Sequence, residues 1–267
     1  MEIMTIEAEQ HIHYVEGTEI QTYYSKEMKD IANAENKPYR FKIANRLYVR
    51  QGIELKKNFM EMLGKYDNGR IYNFNHESKN LLNKQIQKWI LDELNEEVVP
   101  YMQTMLIKEY TKMMMLNLAL FNGNWKKPFC KRATREAVFD ISSEEKKSVF
   151  MMTRTDEFPY YQDSSVHVVK LPFVGDEVEM VLILPKKRHE LANVLKNLTS
   201  KDLLRYIKMT KPTKVKIDEN GVEAPNLTAA DVAELSQPAA VFSANQPFLF
   251  FIVKNLQTFL LVGQNGK

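Results

Sequence analysis

Glu219-Asn220-Gly221-Val222-Glu223-Ala224-Pro225-Asn226-Leu227-Thr228-Ala229-Ala230-Asp231-Val232-Ala233-Glu234-Leu235-Ser236-Gln237-Pro238-Ala239-Ala240-Val241-Phe242 is the stretch on which the fold turns. Its side chains are mostly small or acidic, and no aromatic occurs before Phe242. The apolar run Pro247-Phe248-Leu249-Phe250-Phe251-Ile252-Val253 follows closely. About two dozen residues is long for a connection inside a domain, and such loops are either functional or disordered. Composition by itself suits disorder. The order of the residues suits something else. Val222, Ala224, Asn226, Thr228, Ala230 and Val232 form one alternating set, with Glu223, Pro225, Leu227, Ala229, Asp231 and Ala233 between them. That is close to small-inside, polar-outside alternation, the pattern of a strand with one buried face. Both states stay open: a loop in one, a strand in the other.

Working outward, 267 residues allow one large domain or two small ones. A hydrophobic content of 44% with 10% aromatics suits a globular core. Lys plus Arg 37 against Asp plus Glu 34 gives +3, which lends nucleic-acid binding no support. One cysteine, Cys130, excludes an internal disulfide framework. The start carries no basic region followed by an apolar core, so no signal peptide is expected. No apolar run approaches the ~20 residues that span a bilayer, so no membrane partner is expected either.

Residues 1–37 are weakly periodic. His11 and His13 could share one side of a strand, but no third metal ligand accompanies them, and an exposed polar stretch accounts for them. Residues 39–49 read as a strand, with Tyr39, Phe41, Ile43, Leu47 and Val49 alternating with polar residues. Residues 53–63 have helical spacing, and Gly64 is a stop. Residues 71–74 suit a short strand. Residues 78–94 are the clearest helix, with Leu81, Leu82, Ile86, Trp89, Ile90 and Leu94 on one stripe. Residues 110–121 form a nearly continuous apolar run, the length of a strand buried on both faces. Short strands are expected at 149–152 and 158–161. Residues 166–173 and 178–184 read as a hairpin around Gly175-Asp176, with the second arm central in its sheet. Two short helices meet near residues 197–200, where Ser200 is the expected N-cap. Residues 211–217 lead into the loop, and 248–253 with 258–262 close as a strand pair. No repeat and no domain boundary is visible. With helices expected to dominate the first part and strands the second, the class is one α+β domain spanning residues 1–267.

Catalytic signatures are missing. There is no Gly-rich phosphate loop, no Gly-X-Ser-X-Gly elbow and no His-Glu-X-X-His pair. Cys130 lies among Lys126, Lys127, Lys131 and Arg132, but nothing nearby in sequence supplies a general base, so it reads as a plain thiol. His167 and His189 stand alone. No enzyme, cofactor or metal is expected. The four cations form a basic patch that suits a solvated face, with a polyanion such as a glycosaminoglycan as the alternative.

Several strings together resemble the serpin family, the serine protease inhibitors with a mobile reactive-centre loop. They are Ala44-Asn45-Arg46-Leu47-Tyr48-Val49; Leu116-Asn117-Leu118-Ala119-Leu120-Phe121-Asn122-Gly123-Asn124-Trp125 with Pro128-Phe129; Val149-Phe150-Met151-Met152; Leu171-Pro172-Phe173; and Ile183-Leu184-Pro185. Phe242-Ser243-Ala244-Asn245-Gln246-Pro247-Phe248-Leu249-Phe250-Phe251-Ile252 is similar to the signature that follows the loop. The resemblance runs from about residue 39 to the C-terminus, while residues 1–37 match poorly. It implies an α+β, serpin-like fold of three β-sheets with surrounding helices, in a monomer acting in the extracellular space. The absent signal peptide leaves the cytoplasm as the alternative. In the loop, residues 219–242, Glu219, Gly221, Glu223 and Ala224 match the family's hinge pattern, with Val222 and Pro225 completing that segment. Counting along the loop places the scissile bond at Leu235-Ser236, bait for a chymotrypsin-like serine protease with an apolar primary pocket. After cleavage the family's loop inserts as a new strand of the main sheet and distorts the trapped protease.

The departures from the family bear on trapping. Pro225, Asn226 and Leu227 stand where inhibitory hinges carry small residues, and Pro225 cannot donate to a sheet ladder. Residues 1–37 do not match the family's first helices, so part of those helices is expected to be missing. So is much of the segment before the loop, because residues 209–217 run almost directly into the hinge. The helix near Ser78 has Gln87 where the family has Asn, and Leu94-Asn95-Glu96-Glu97 in place of its Thr-X-Gly-Lys. Two functions follow from the resemblance: a suicide-substrate inhibitor, or a non-inhibitory serpin-fold protein that is cleaved as a substrate or acts as a binding module.

Overall fold

A computed structural model describes residues 2–7, 26, 30, 37–66, 71–94, 110–218 and 240–265. The chain divides into two compact units, residues 1–123 and 124–267.

The first unit is built on a four-stranded sheet in the order β1-β4-β2-β3. Its strands are β1 (Glu2–Glu7), β2 (Tyr39–Arg50), β3 (Ile71–Phe74) and β4 (Met113–Gly123). β2 and β4 pair antiparallel along their whole length, from Tyr39 opposite Gly123 to Val49 opposite Met113. The helix α1 (Lys57–Tyr66) follows β2, and α2 (Lys79–Leu94) follows β3. α2 buries Leu82, Ile86, Trp89 and Ile90 against Tyr48, Phe74, Leu116, Leu118 and Leu120. The Arg46 guanidinium lies 4.3 Å from the Tyr72 ring centroid and 4.7 Å from that of Trp89, so its charge meets two π faces. Leu81, expected on the buried stripe, is instead 57% exposed. Leu82, Ile86, Trp89 and Ile90 already fill the face that meets the sheet, and Leu81 falls about 100° outside it. The expected helical first part also needs correction: four strands accompany two α-helices among its described residues.

The second unit carries a seven-stranded sheet, β11-β10-β7-β8-β9-β12-β13, and a two-stranded ribbon, β5-β6. The ribbon is β5 (Arg135–Asp140) and β6 (Lys146–Met151). The sheet strands are β7 (Arg154–Gln162), β8 (Val166–Pro172), β9 (Val178–Pro185), β10 (Lys211–Asp218), β11 (Ala240–Ser243), β12 (Phe248–Lys254) and β13 (Thr258–Asn265). β8 and β9 form the expected hairpin, and Gly175 and Asp176 take the left-handed backbone of its turn, with φ of 93° and 60°. β9 is central, between β8 and β12, and all but Glu179 of its residues are buried. The helices α3 (Leu191–Asn197) and α4 (Ser200–Met209) lay Leu191, Tyr206 and Ile207 on Val166, Val168, Val181, Ile183, Leu249 and Phe251.

Two local expectations shift. The cap of α4 is Thr199, not Ser200: the Thr199 hydroxyl accepts from the Asp202 N–H, and the Asp202 carboxylate accepts from the Thr199 N–H, a reciprocal capping box. The stretch after α4 does not merely lead into the loop. It is the eight-residue strand β10, with Val215 and Ile217 buried.

Candidate functional site

Two adjacent strands hold the ends of the stretch quoted first. β10 runs outward to Asp218, and β11 brings the chain back at Ala240. They are parallel, with Val215 opposite Ala240, Ile217 opposite Phe242 and Asp218 opposite Ser243. β11 is the edge of the seven-stranded sheet. Alternation fixes the register: Val215, Ile217 and Phe242 are buried, at 0%, 6% and 0% exposure. Each such side chain is worth about 1.5–3 kcal/mol on burial, so both exits are firmly tied. Pro212 is tolerated near the start of β10, opposite Pro159 of β7. The hinge residues Glu219, Gly221, Val222, Glu223, Ala224 and Pro225 lie outside the described residues, as do Leu235, Ser236, His11 and His13.

Polar side chains brace the same edge on its β7 side. Arg154 stands opposite Ile217, and Asp156 opposite Val215. Lys127 Nζ lies 2.6 Å from Asp156 Oδ1 and donates to the Glu157 carbonyl at 2.7 Å. Arg154 Nε donates to Asp156 Oδ2 at 3.0 Å, its Nη2 to the same oxygen, and its Nη1 to the Pro128 carbonyl at 2.5 Å. Partial burial would push the Asp156 carboxyl up, but the hydrogen bonds from Lys127, Arg154 and the Glu157 N–H prevail and hold it well below the usual carboxylate range. Sequence reading did not reach this trio. The available signal was Arg154 and Asp156 two apart on a strand, and hence on one face.

The segment that delivers Lys127 is itself fixed. Trp125 stacks on Phe173 with centroids 4.4 Å apart and meets Phe129 edge-on at 6.1 Å. The basic patch divides into two pairs. Lys126 is matched by Asp176 at 2.6 Å and Lys127 by Asp156. Lys131 and Arg132, on the 3-10 turn Lys131–Ala133, are exposed and have no carboxylate partner among the described residues. Cys130 is exposed beside them. His167 does not stand alone: the Tyr160 hydroxyl lies 2.6 Å from its Nδ1. Among the described residues no group of three or more His, Cys, Asp or Glu side chains could hold a metal ion. No helix there is long and apolar enough to cross a membrane.

Residues 4–217 match the family model described as serpin (serine protease inhibitor). The leukocyte elastase inhibitor of Bos taurus is 25% identical over 233 residues, 86% of this chain and 61% of that protein. A serpin-like protein of Methanosarcina acetivorans is 28% identical over 216 residues, 80% of this chain and 49% of its own length. Human neuroserpin is 28% identical over 179 residues, covering 64% and 44%. The chain therefore spans about half to three fifths of the curated relatives it matches. Among solved structures, uncleaved ovalbumin is similar with a TM-score of 0.67 at 19% identity, covering 92% of this chain and 82% of that one. Human thyroxine-binding globulin is similar with a TM-score of 0.72 at 15% identity, covering 93% and 81%. At that identity the likeness concerns the fold, which is serpin-like and α+β.

Proposed function

The chain belongs to the serpin family, and we propose that it is a serine-type endopeptidase inhibitor whose bait is residues 219–242. The observation that carries this function is the frame around the loop. Its two ends are neighbouring parallel strands at a sheet edge, each tied by buried residues, so a long segment starts and ends on one rigid border. Loops presented by a rigid scaffold are where recognition residues gather. Leu235-Ser236 is the proposed scissile bond, with Glu219, Gly221, Val222, Glu223, Ala224 and Pro225 as the hinge. A chymotrypsin-like protease attacks the Leu235 carbonyl carbon with its serine Oγ, and the Ser236 amine leaves. The covalent ester then either hydrolyses or is trapped. Both compact units belong to one serpin-like domain on this proposal, since the family match runs across their division at residue 123. The protein works as a monomer. The family includes extracellular members, and the extracellular space is the proposed compartment.

Incubation with chymotrypsin followed by denaturing electrophoresis and N-terminal sequencing tests the bait. A new N-terminus at Ser236 is expected. A first cut elsewhere, with residues 219–242 left intact, sinks the assignment.

Pro225 and Asn226 favour a second function: a serpin-fold protein that is cleaved as a substrate without trapping. A glycosaminoglycan contact is a further activity to test, and it falls to Lys131 and Arg132, because Lys126 and Lys127 already face carboxylates. Retention on heparin that falls steeply with salt, and is lost in K131E/R132E, identifies it.

A further inference from the structure

Asn197-Leu198-Thr199 joins the two helices that lie on the seven-stranded sheet. Asn197 ends α3, and Thr199 caps α4. Leu198, between them, has an extended backbone with φ of −71° and ψ of 117°, and its side chain packs against the core that α3 and α4 share with the sheet. Asn197 and Thr199 are both exposed. The tripeptide is therefore anchored by its middle residue and presents the outer two to solvent, as alternation in an extended segment requires.

The fold accounts for the threonine but not for the asparagine. The Thr199 hydroxyl accepts from the Asp202 N–H at 3.2 Å and donates to Asp202 Oδ2 at 2.6 Å, so α4 uses it as a cap. Asn197 Nδ2 donates to the Asn193 carbonyl at 2.9 Å, an exposed bond to a group at a helix end, where water serves as well. Asn is favoured after a helix when its backbone turns left-handed, and Asn197 has no positive φ. An exposed Asn that the fold does not need, two residues before a Thr with a residue other than Pro between them, has the spacing of an N-glycosylation acceptor.

We propose that Asn197 is a glycosylation site whose donor is a polyprenyl-diphosphate-linked oligosaccharide. Asn197 Nδ2 attacks the anomeric carbon of the donor's first sugar. The N–C bond forms, the C–O bond to the diphosphate breaks, and the lipid diphosphate leaves with that electron pair. One amide proton passes to a base of the transferase. The N–H that remains can keep its bond to the Asn193 carbonyl, so α3 is undisturbed. There is room for the sugar as well. Asn197 borders a cleft of about 280 Å³ lined also by Ser164, Ser165, Lys187 and Glu190, so the added group meets polar side chains there. In the folded chain Asp202 occupies the Thr199 hydroxyl, so transfer belongs to the chain before α4 closes. The inference rests on the proposed extracellular compartment, because the transferase acts inside secretory membranes.

The test directs the full chain into the secretory route of eukaryotic cells with an added leader, and reads Asn197 by peptide mapping before and after peptide-N-glycosidase F. Asn226-Leu227-Thr228, which has the same spacing, falls on a different peptide and is scored apart. Most secreted chains should carry a glycan at Asn197, which the glycosidase removes while converting that residue to aspartate. N197Q should lose the glycan. T199N should lose it too, yet keep α4, because Asn caps a helix as well as Thr does, so its unfolding curve should stay with the parent's. T199S preserves both the cap and the spacing and should keep the glycan. The proposal is overturned if Asn197 is bare in the leader-directed chain, or if T199N still carries the glycan. The compartment is scored separately, from the chain without a leader in its native source. Retention inside the cell rejects the extracellular reading and leaves the acceptor result standing or falling by itself.

Discussion

Lys127 Nζ sits 2.6 Å from Asp156 Oδ1 on β7, the strand paired with the one from which the loop departs. Asp156 also accepts from Arg154 and from the Glu157 N–H, so its carboxylate is held by two cations and a backbone donor. Its folded pKa is depressed, and the sign of the pH effect follows. The stabilisation is present above the unfolded carboxylate value near ~4 and is lost as pH falls below it. Asp156→Asn should cost about 1.5–3 kcal/mol at pH 7, the range for hydrogen bonds to a charged group. The gap between variant and parent should narrow below about pH 4. Urea unfolding at pH 7, 5 and 3 measures both effects; a gap that stays constant with pH excludes the ionised Asp156 as its source.

Tyr160 and His167 form a second pH-sensitive pair. Burial pushes the Tyr160 hydroxyl up to about 12, so it stays protonated, in hydrogen-bond contact with Nδ1 of His167 at 2.6 Å. Burial, then the nearby Lys186, lowers the His167 pKa below its ordinary value. The unfolded chain therefore takes up this proton first, and stability falls as pH drops below about 6.5. His167→Gln keeps an acceptor but cannot titrate there. It should remove the part of the loss between pH 7 and pH 5 that protonation of His167 contributes. Thermal unfolding across that window decides the matter, and parallel curves for parent and variant would falsify it.

Gly263 faces Phe250 across the β12–β13 ladder, and a Cβ placed there would come within 2.4 Å of the Phe250 ring. Space, not backbone conformation, demands glycine here. Gly263→Ala should cost about 1–3 kcal/mol by overpacking. Adding Phe250→Leu should recover part of that cost, because the two changes share one volume. A double-mutant cycle with additive costs would contradict this account.

Most strands were legible because their side chains obey a two-residue period. Tyr39, Phe41, Leu47 and Val49 are buried in β2, and the uninterrupted apolar run Val181-Leu182-Ile183-Leu184 identified the centre of the large sheet. β10 was not recognised as a strand because Lys211, Lys214 and Lys216 mask Val215 and Ile217, whose burial depends on β7 and β11. The Lys127–Arg154–Asp156 trio was invisible for a related reason. Its members lie as far as 29 positions apart, and only the sheet brings them together. The basic patch was legible as charge but not as pairing, since Asp176 and Asp156 come from other strands and turns. The cap of α4 was displaced by one residue because Thr199 and Ser200 are both acceptable caps. Asp202 decides it, standing three residues after Thr199 and only two after Ser200.

The remaining prediction concerns the fate of the acyl-enzyme. Trapping is a race between insertion of the freed loop and hydrolysis of the ester, so anything that slows insertion favours hydrolysis. Pro225 removes a ladder donor early in the inserting strand. Asn226, in the set with Val222 and Ala224, turns an amide toward the buried side, which costs about 1–3 kcal/mol if it finds no partner. Both lie near the proposed hinge, where insertion would begin, so they should slow its rate as well as weaken the end state. The chain as written should therefore be consumed mainly as a substrate, with cleaved protein far exceeding covalent complex on a denaturing gel. P225A/N226A should shift the partition toward complex by about tenfold, since 1.4 kcal/mol at the branching step is a factor of ten. Separate P225A and N226A variants apportion the effect between the lost donor and the buried amide. If the parent already forms an abundant complex that survives boiling in detergent, insertion is not impeded and the hinge residues do not set the outcome. If the double variant leaves the ratio unchanged while the parent is still cleaved at Leu235-Ser236, the barrier lies in the sheet that must accept the strand and not in the hinge.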